Sequence, residues 1–259
     1  NIEEQSYRPP IKSILFALYY YIKHSVISAT IITALFGALG VVFIFLIGRK
    51  LYNEKVGILA ALILTFTPFI IKNSNLLMTD VPVSTLLAIS FYLALFREKK
   101  LMMFLSGLFL GLSVLMKFTA VLMILVFLIY FYFYRKELNK KKLILFAIGF
   151  LVVMLPYFIW YQIKFGNFLN PFIKGPTLVQ QKNEAILFYF FNLHKIFTIL
   201  VLSGLIFWII DGVIKLNKEK YVNIKADTIL IIWALVFLLY LTKIPHKELR
   251  YLLPIIIPI

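Results

Sequence analysis

The apolar runs decide what this chain can fold into. Stretches with almost no charge recur at 26–47, 56–71, 81–96, 101–116, 119–134, 143–160, 196–210 and 228–241, parted by brief polar segments. Inside each run the apolar residues are continuous and do not alternate with polar ones. That pattern suits helices crossing a bilayer and not the strands of a porin-type barrel. A content of 62% hydrophobic and 15% charged residues lies outside the range of soluble globular chains. The expectation is an integral membrane protein, all-α and polytopic, a helical bundle with about eight spans in one domain over 1–259. The shorter run at 11–21, rich in Tyr, reads as an interfacial or partly buried helix.

The chain starts at Asn1 without an initiator Met and stops inside an apolar run, so it reads as a fragment truncated at both ends. It carries no Cys, which removes disulfides, a thiol nucleophile and Cys-based metal sites. It also lacks a Gly-rich phosphate loop, a metal-spaced His pair and an Asp-x-Asp element, so soluble nucleotide-dependent enzyme classes find no support.

The formal net charge is +16, but the cations sit in the turns between spans and form no single soluble face. Anionic lipid is therefore the expected partner, and nucleic acid is not. Basic turns at Arg49, Arg97, Arg135 and Lys215 fall in every second loop, so one topology satisfies the positive-inside rule for all four. The remaining polar segments then share the opposite, outer face. These are the N-terminal segment, the loop at 73–82, Lys117, the connection at 161–195 and the segment at 246–251.

Asp80 stands in the loop at 73–82 between two apolar runs, one of few acids in a basic chain. An acid at the edge of a bilayer is a functional-site hypothesis by default. The local alternative is that Asp80 caps the helix that follows, with Pro82 in its first turn. Capping does not exclude catalysis. With Asp80 on the outer face go Lys72, Lys117, His246, Lys247, Glu248, Arg250 and Tyr251, with Glu3 and Glu4 near the start. Individually, Lys72, Lys164, Lys174 and Lys195 read as snorkelling side chains. The compact run His246-Lys247-Glu248-Leu249-Arg250-Tyr251 is an anion-binding set with a carboxylate inside it. The Gly107-x-x-x-Gly111 spacing reads as a helix-packing device, and Gly37 and Gly40 as points of close helix approach.

Several short motifs follow one another in a telling order. They are Arg8-Pro9-Pro10, Gly48-Arg49-Lys50-Leu51-Tyr52, Thr79-Asp80-Val81-Pro82, a Gly107–Gly111 helix leading to Met116-Lys117, and His246-Lys247-Glu248-x-Arg250-Tyr251-x-x-Pro254. This order resembles the membrane-embedded GT-C glycosyltransferases. More narrowly it is similar to the group holding the dolichyl-phosphate-mannose protein mannosyltransferases and the aminoarabinose transferase of lipid A. The resemblance implies inverting transfer of a sugar, hexosyl or pentosyl, from a polyprenyl- or dolichyl-phosphate carrier to a protein, lipid or glycan acceptor. The active face would be outward, in the plasma membrane of a prokaryote rather than the endoplasmic reticulum.

By the same resemblance Asp80 is the catalytic acid that orients substrate or a divalent ion, Mg or Mn. His246, Lys247, Arg250 and Tyr251 hold the carrier phosphate, with Lys117 beside them, and Glu248 is an additional acid. The family's leading acid falls upstream of Arg8-Pro9-Pro10. Glu3 and Glu4 lie there, close to the prolines, and the expectation is that the general base precedes Asn1, leaving this fragment inactive alone. Two other classes stay open. A transporter or flippase of lipid-linked sugar would use the same cations but needs polar groups along a midplane path. A structural subunit, a degenerate member of the family, would lack the upstream acids.

Overall fold

The computed structural model describes residues 8–23, 25, 30–174, 185, 187–195 and 224–257, and among them every regular element is helical. In chain order the α-helices are α1 Pro10–Lys23, α2 Thr30–Leu51, α3 Glu54–Thr65, α4 Pro68–Ser74, α5 Asp80–Ala94 and α6 Lys100–Met116. They continue with α7 Met123–Phe133, α8 Lys140–Phe165, α9 Asn170–Lys174, α10 Phe188–Asn192, α11 Ile224–Lys243 and α12 Leu253–Ile256. Short 3-10 turns at Phe118–Leu122, Leu193–Lys195 and Leu249–Leu252 join them. Glu3, Glu4, the Lys215 turn and the expected span at 196–210 lie outside the described residues.

Local chemistry sets the boundaries. The Asn53 side chain accepts the Val56 backbone N–H at 3.0 Å and caps α3, and Asn139 does the same for α8 through Lys142 N–H at 3.0 Å. Pro68 ends the helical path before it and starts α4, so the run at 56–71 becomes two helices bent by 64°. Gly166, at φ 78°, takes the left-handed conformation that closes α8. That stop comes later than expected, because the helix continues through Tyr161–Phe165 instead of yielding to a connection at Trp160.

α2, α8 and α11 are each long and apolar enough to cross a bilayer, and the bent pair α3–α4 makes a fourth if counted as one broken span. α5, with 15 residues, reaches only about 22 Å at the helical rise, short of a hydrocarbon core of about 30 Å. α6 and the Phe118–Phe133 stretch are likewise apolar but short. Length and composition thus support three or four spans among the described residues. The expected count of about eight also drew on these shorter helices and on 196–210.

α5 is the centre of the bundle. Val83, Leu87, Ala88, Phe91 and Ala94 are all at most 1% exposed, and every residue from Asp80 to Phe91 is buried, so neighbours cover the helix on all sides over that stretch. α2, α6 and α12 pack on it. Between α5 and α6, Ser90 and Ser106 exchange hydroxyl-to-carbonyl hydrogen bonds, each 2.8 Å. Thr85 Oγ1 donates to Phe36 C=O of α2 at 2.8 Å, opposite Gly40. The outer helices leave Leu35, Leu59, Leu151 and Ile159 exposed, surfaces that suit hydrocarbon.

α6 and α8 make the tightest pair. A Cβ on Gly107 would stand 1.9 Å from the Phe146 carbonyl oxygen, and one on Gly149 would stand 2.0 Å from that of Phe104. The glycine spacing read from the sequence is therefore a backbone-on-backbone contact, made reciprocal by Gly149 of α8.

The expected grouping of basic turns holds for the three that are described. Arg97 donates from Nε to Glu137 Oε2 at 2.7 Å and lies 3.8 Å over the Tyr134 ring, which Lys225 approaches from 5.2 Å. Lys50 stands 4.8 Å over Phe96, and the Tyr52 hydroxyl donates to buried Asp227. Gly149→Ala should lower the thermal stability of the detergent-solubilised protein, by about 1–3 kcal/mol if the helices separate to make room. An unchanged melting temperature would show that α6 and α8 do not touch through backbone.

Candidate functional site

At the opposite end of the bundle, the first residue of α5 meets the end of α6 and the segment before α12. Thr79 occupies the N-cap position of α5 and makes no side-chain cap bond; Asp80 is the first helical residue. The local capping alternative therefore does not hold. Asp80 is 3% exposed, and its two oxygens turn to cations: Lys117 Nζ is 2.5 Å from Oδ1, and Arg250 Nε is 3.6 Å from Oδ2. Lys117 reaches it because α6 ends at Met116 and Lys117 is extended, at φ −156°, before the 3-10 turn begins.

Arg250 links the acids. Its Nη2 lies 2.6 Å from Glu248 Oε2, its Nη1 donates toward Met78 Sδ at 3.0 Å, and Nε, buried, finds no hydrogen bond. Glu248 also meets His246 Nε2 at 2.9 Å. The Tyr251 ring lies 4.1 Å beneath the Lys117 ammonium and 6.2 Å, edge to face, from His246. Burial raises the Tyr251 hydroxyl above the usual tyrosine range, with Glu248 adding to it, so the phenol stays protonated. The structure thus brings together Asp80, Lys117, His246, Glu248, Arg250 and Tyr251. Lys247, on the same segment, is buried.

Two contributors were not assigned to the site from sequence. Lys12 of α1 is half-buried and lies within electrostatic range of Asp80, Arg250, Lys117 and Arg8. Burial is the main cause that lowers its pKa; Arg8, Arg250 and Lys117 lower it further, and Asp80 opposes them. The signal that could have found it is its isolation, for Lys12 and Lys23 are the only charges in α1. The other is Tyr189 of α10, 1% exposed, which carries no distinguishing sequence signal within Phe188-Tyr189-Phe190-Phe191.

The charge balance tells what this arrangement can hold. Lys12, Lys117 and Arg250 lie around Asp80 and Glu248, with Arg8 near Lys12, so the cluster is cationic in excess and suits an anion such as a phosphate. Both Asp80 oxygens are turned to cations, and among the described residues no group of three His, Asp or Glu is placed to hold a metal.

If Asp80 is held by Lys117 and is no cap, Asp80→Asn should lower the melting temperature, and adding Lys117→Met should return part of the loss. A double-mutant cycle should give a coupling of about 1–3 kcal/mol. Simple additivity of the two changes would show that the pair does not form.

The comparisons with known proteins bear on this geometry. No curated protein matches the chain in sequence. Among solved structures the chain is similar in fold to ArnT from Cupriavidus metallidurans bound to undecaprenyl phosphate, with a TM-score of 0.74 and 16% identity over 98% of this chain. The same protein in its apo state matches with a TM-score of 0.72 and 17% identity over 97% of the chain. The chain spans about half the length of that neighbour, 48% and 47% in the two structures. The family model described as dolichyl-phosphate-mannose-protein mannosyltransferase matches residues 7–160, more than half of the chain and including Asp80 and Lys117. The chain therefore belongs to the dolichyl-phosphate-mannose-protein mannosyltransferase family.

Proposed function

We propose that this chain is part of a membrane glycosyltransferase that moves a sugar from a polyprenyl-phosphate carrier to an acceptor hydroxyl at the outer face of the membrane, with inversion. The observation that carries this reading is the cationic cluster built around one buried carboxylate at a single end of the bundle. Family membership points to a lipid-phosphate donor, and the fold neighbour solved with undecaprenyl phosphate is consistent with that carrier class.

In this reading the acceptor oxygen bonds to the anomeric carbon as the bond from that carbon to the phosphate oxygen breaks. Negative charge then gathers on the departing phosphate. Lys117, Arg250 and Lys12 stabilise it there, ahead of any reorganisation, because the fold already holds them. Both oxygens of Asp80 are turned to cations, one to Lys117 and the other to Arg250, and not to an acceptor hydroxyl. Its role is to place the two cations. The acceptor proton passes to a different carboxylate, in keeping with a leading acid upstream of Arg8. Among the described residues the charged groups of the site gather at one end of the bundle and the polar groups between the ends, Thr85, Ser90 and Ser106, are bonded to backbone carbonyls, which favours transfer over transport.

Purified full-length protein, given polyprenyl-phosphate sugars and a membrane extract as acceptor source, should release free polyprenyl phosphate. Arg250→Ala should raise KM for the donor by about tenfold or more, the cost of losing a charged contact to phosphate. Donor that binds without release, across several sugars and acceptors, would sink the transferase reading. Lys12 adds a pH signature. Its lowered pKa means the ammonium is lost on the alkaline side before the ordinary lysine range of about 10.4. Donor KM should rise with pH there, and Lys12→Met should give a higher KM at neutral pH with a flatter pH profile.

A further inference from the structure

Six buried side-chain polar atoms among the described residues lack a hydrogen-bond partner, and three of them belong to one neighbourhood: Tyr189 Oη, His246 Nδ1 and Arg250 Nε. Buried polar groups in folded proteins are satisfied as a rule, so an unsatisfied group needs a reason, and three converging on one place share one. The other three, on Thr33, Tyr157 and Trp233, belong to α2, α8 and α11.

Tyr189 is the least expected of them. It is 1% exposed, and its hydroxyl lies within electrostatic range of Glu248, Tyr251 and Asp80. The Glu248 backbone stands near the phenolic oxygen, yet the hydroxyl has no hydrogen-bond partner among the described residues. Burial, with the acids nearby, keeps the phenol protonated. Arg250 Nε is in the same condition: a donor whose best acceptor, Asp80 Oδ2, stands at 3.6 Å, beyond hydrogen-bond length. Two donors without acceptors beside a cationic cluster describe a place built for an oxygen of an anion.

We propose that Tyr189 is a ligand residue of the transferase site, donating its phenolic hydrogen bond to a phosphate oxygen of the lipid carrier alongside Arg250 Nε. This rests on the reading of the site as one for a lipid-phosphate sugar. The short helix α10 then brings to the phosphate a neutral donor that the helices bearing Asp80 and Lys117 do not supply. A neutral donor suits that position. A further cation beside Arg250 and Lys117 would repel them in the empty site, whereas a phenol adds a hydrogen bond without adding charge.

The test is binding of undecaprenyl phosphate, without sugar, to the full-length protein in detergent, comparing wild type with Tyr189→Phe, together with the melting temperature of each without ligand. Phe keeps the ring in its packing and removes only the hydroxyl. The expected result is a Kd raised about tenfold, as for one hydrogen bond to a charged group, with a ligand-free melting temperature equal to or above that of wild type. A hydroxyl without a hydrogen-bond partner contributes nothing to the empty fold, so its removal should leave the ligand-free protein at least as stable. Equal Kd in the two proteins would overturn the assignment while leaving the site's reading intact. A lower ligand-free melting temperature would overturn it too, by showing that the hydroxyl holds the fold. Failure of wild type itself to bind undecaprenyl phosphate would remove the lipid-phosphate reading, and this assignment with it.

Discussion

The ion pair between Lys117 and Asp80 is the interaction on which the site end of the bundle depends. A carboxylate at 3% exposure is costly unless a partner offsets its loss of water, and here the partner comes from a different helix end. The pair fastens the start of α5 to the end of α6, and α5 is the helix that the others surround. The same carboxylate draws Arg250 toward it from a segment distant in sequence. One acid thereby sets the position of two cations, and Glu248 steadies the second of them from its other side.

The two ends of the bundle use cations in different ways. At the end with Arg97, the charges are engaged: Arg97 is bonded to Glu137 and stacked on Tyr134, and Lys50 and Lys225 lie over aromatic rings. Such contacts anchor helix ends where headgroups begin. At the end with Asp80, donors are left over on Arg250 and Tyr189. Unused hydrogen-bonding capacity in a buried place costs stability, and a protein keeps it where a ligand completes the set. The contrast between a satisfied end and an unsatisfied one separates anchoring from binding more sharply than charge alone.

Much of this was legible in the sequence. Charge alternation between turns placed Asp80, Lys117 and the His246–Tyr251 segment on one face, because only one topology seats the basic turns together. The close helix contact at Gly107 was legible too, since small residues four apart present a groove on one side of a helix. The fate of Asp80 was not. Its position before Pro82 fits an N-cap as well as a site, and only the structure separates the two: Thr79 takes the N-cap position while Lys117 and Arg250 approach the carboxylate. Nor did the sequence single out Tyr189, one Tyr among 15.

The sequence by itself determined the solvent and the secondary structure. Long uncharged runs cannot leave backbone groups unpaired in hydrocarbon, so they must be helices, and helix caps and breakers such as Asn53, Pro68, Asn139 and Gly166 act within a few residues. The tertiary structure decided which helices are surrounded, that α5 lies inside while α2 and α8 face outward, and which donors remain unsatisfied. Those properties depend on distances between residues far apart in the chain, Tyr189 and Glu248 or Lys12 and Asp80. Hydropathy and local propensity carry no term for such distances; packing sets them.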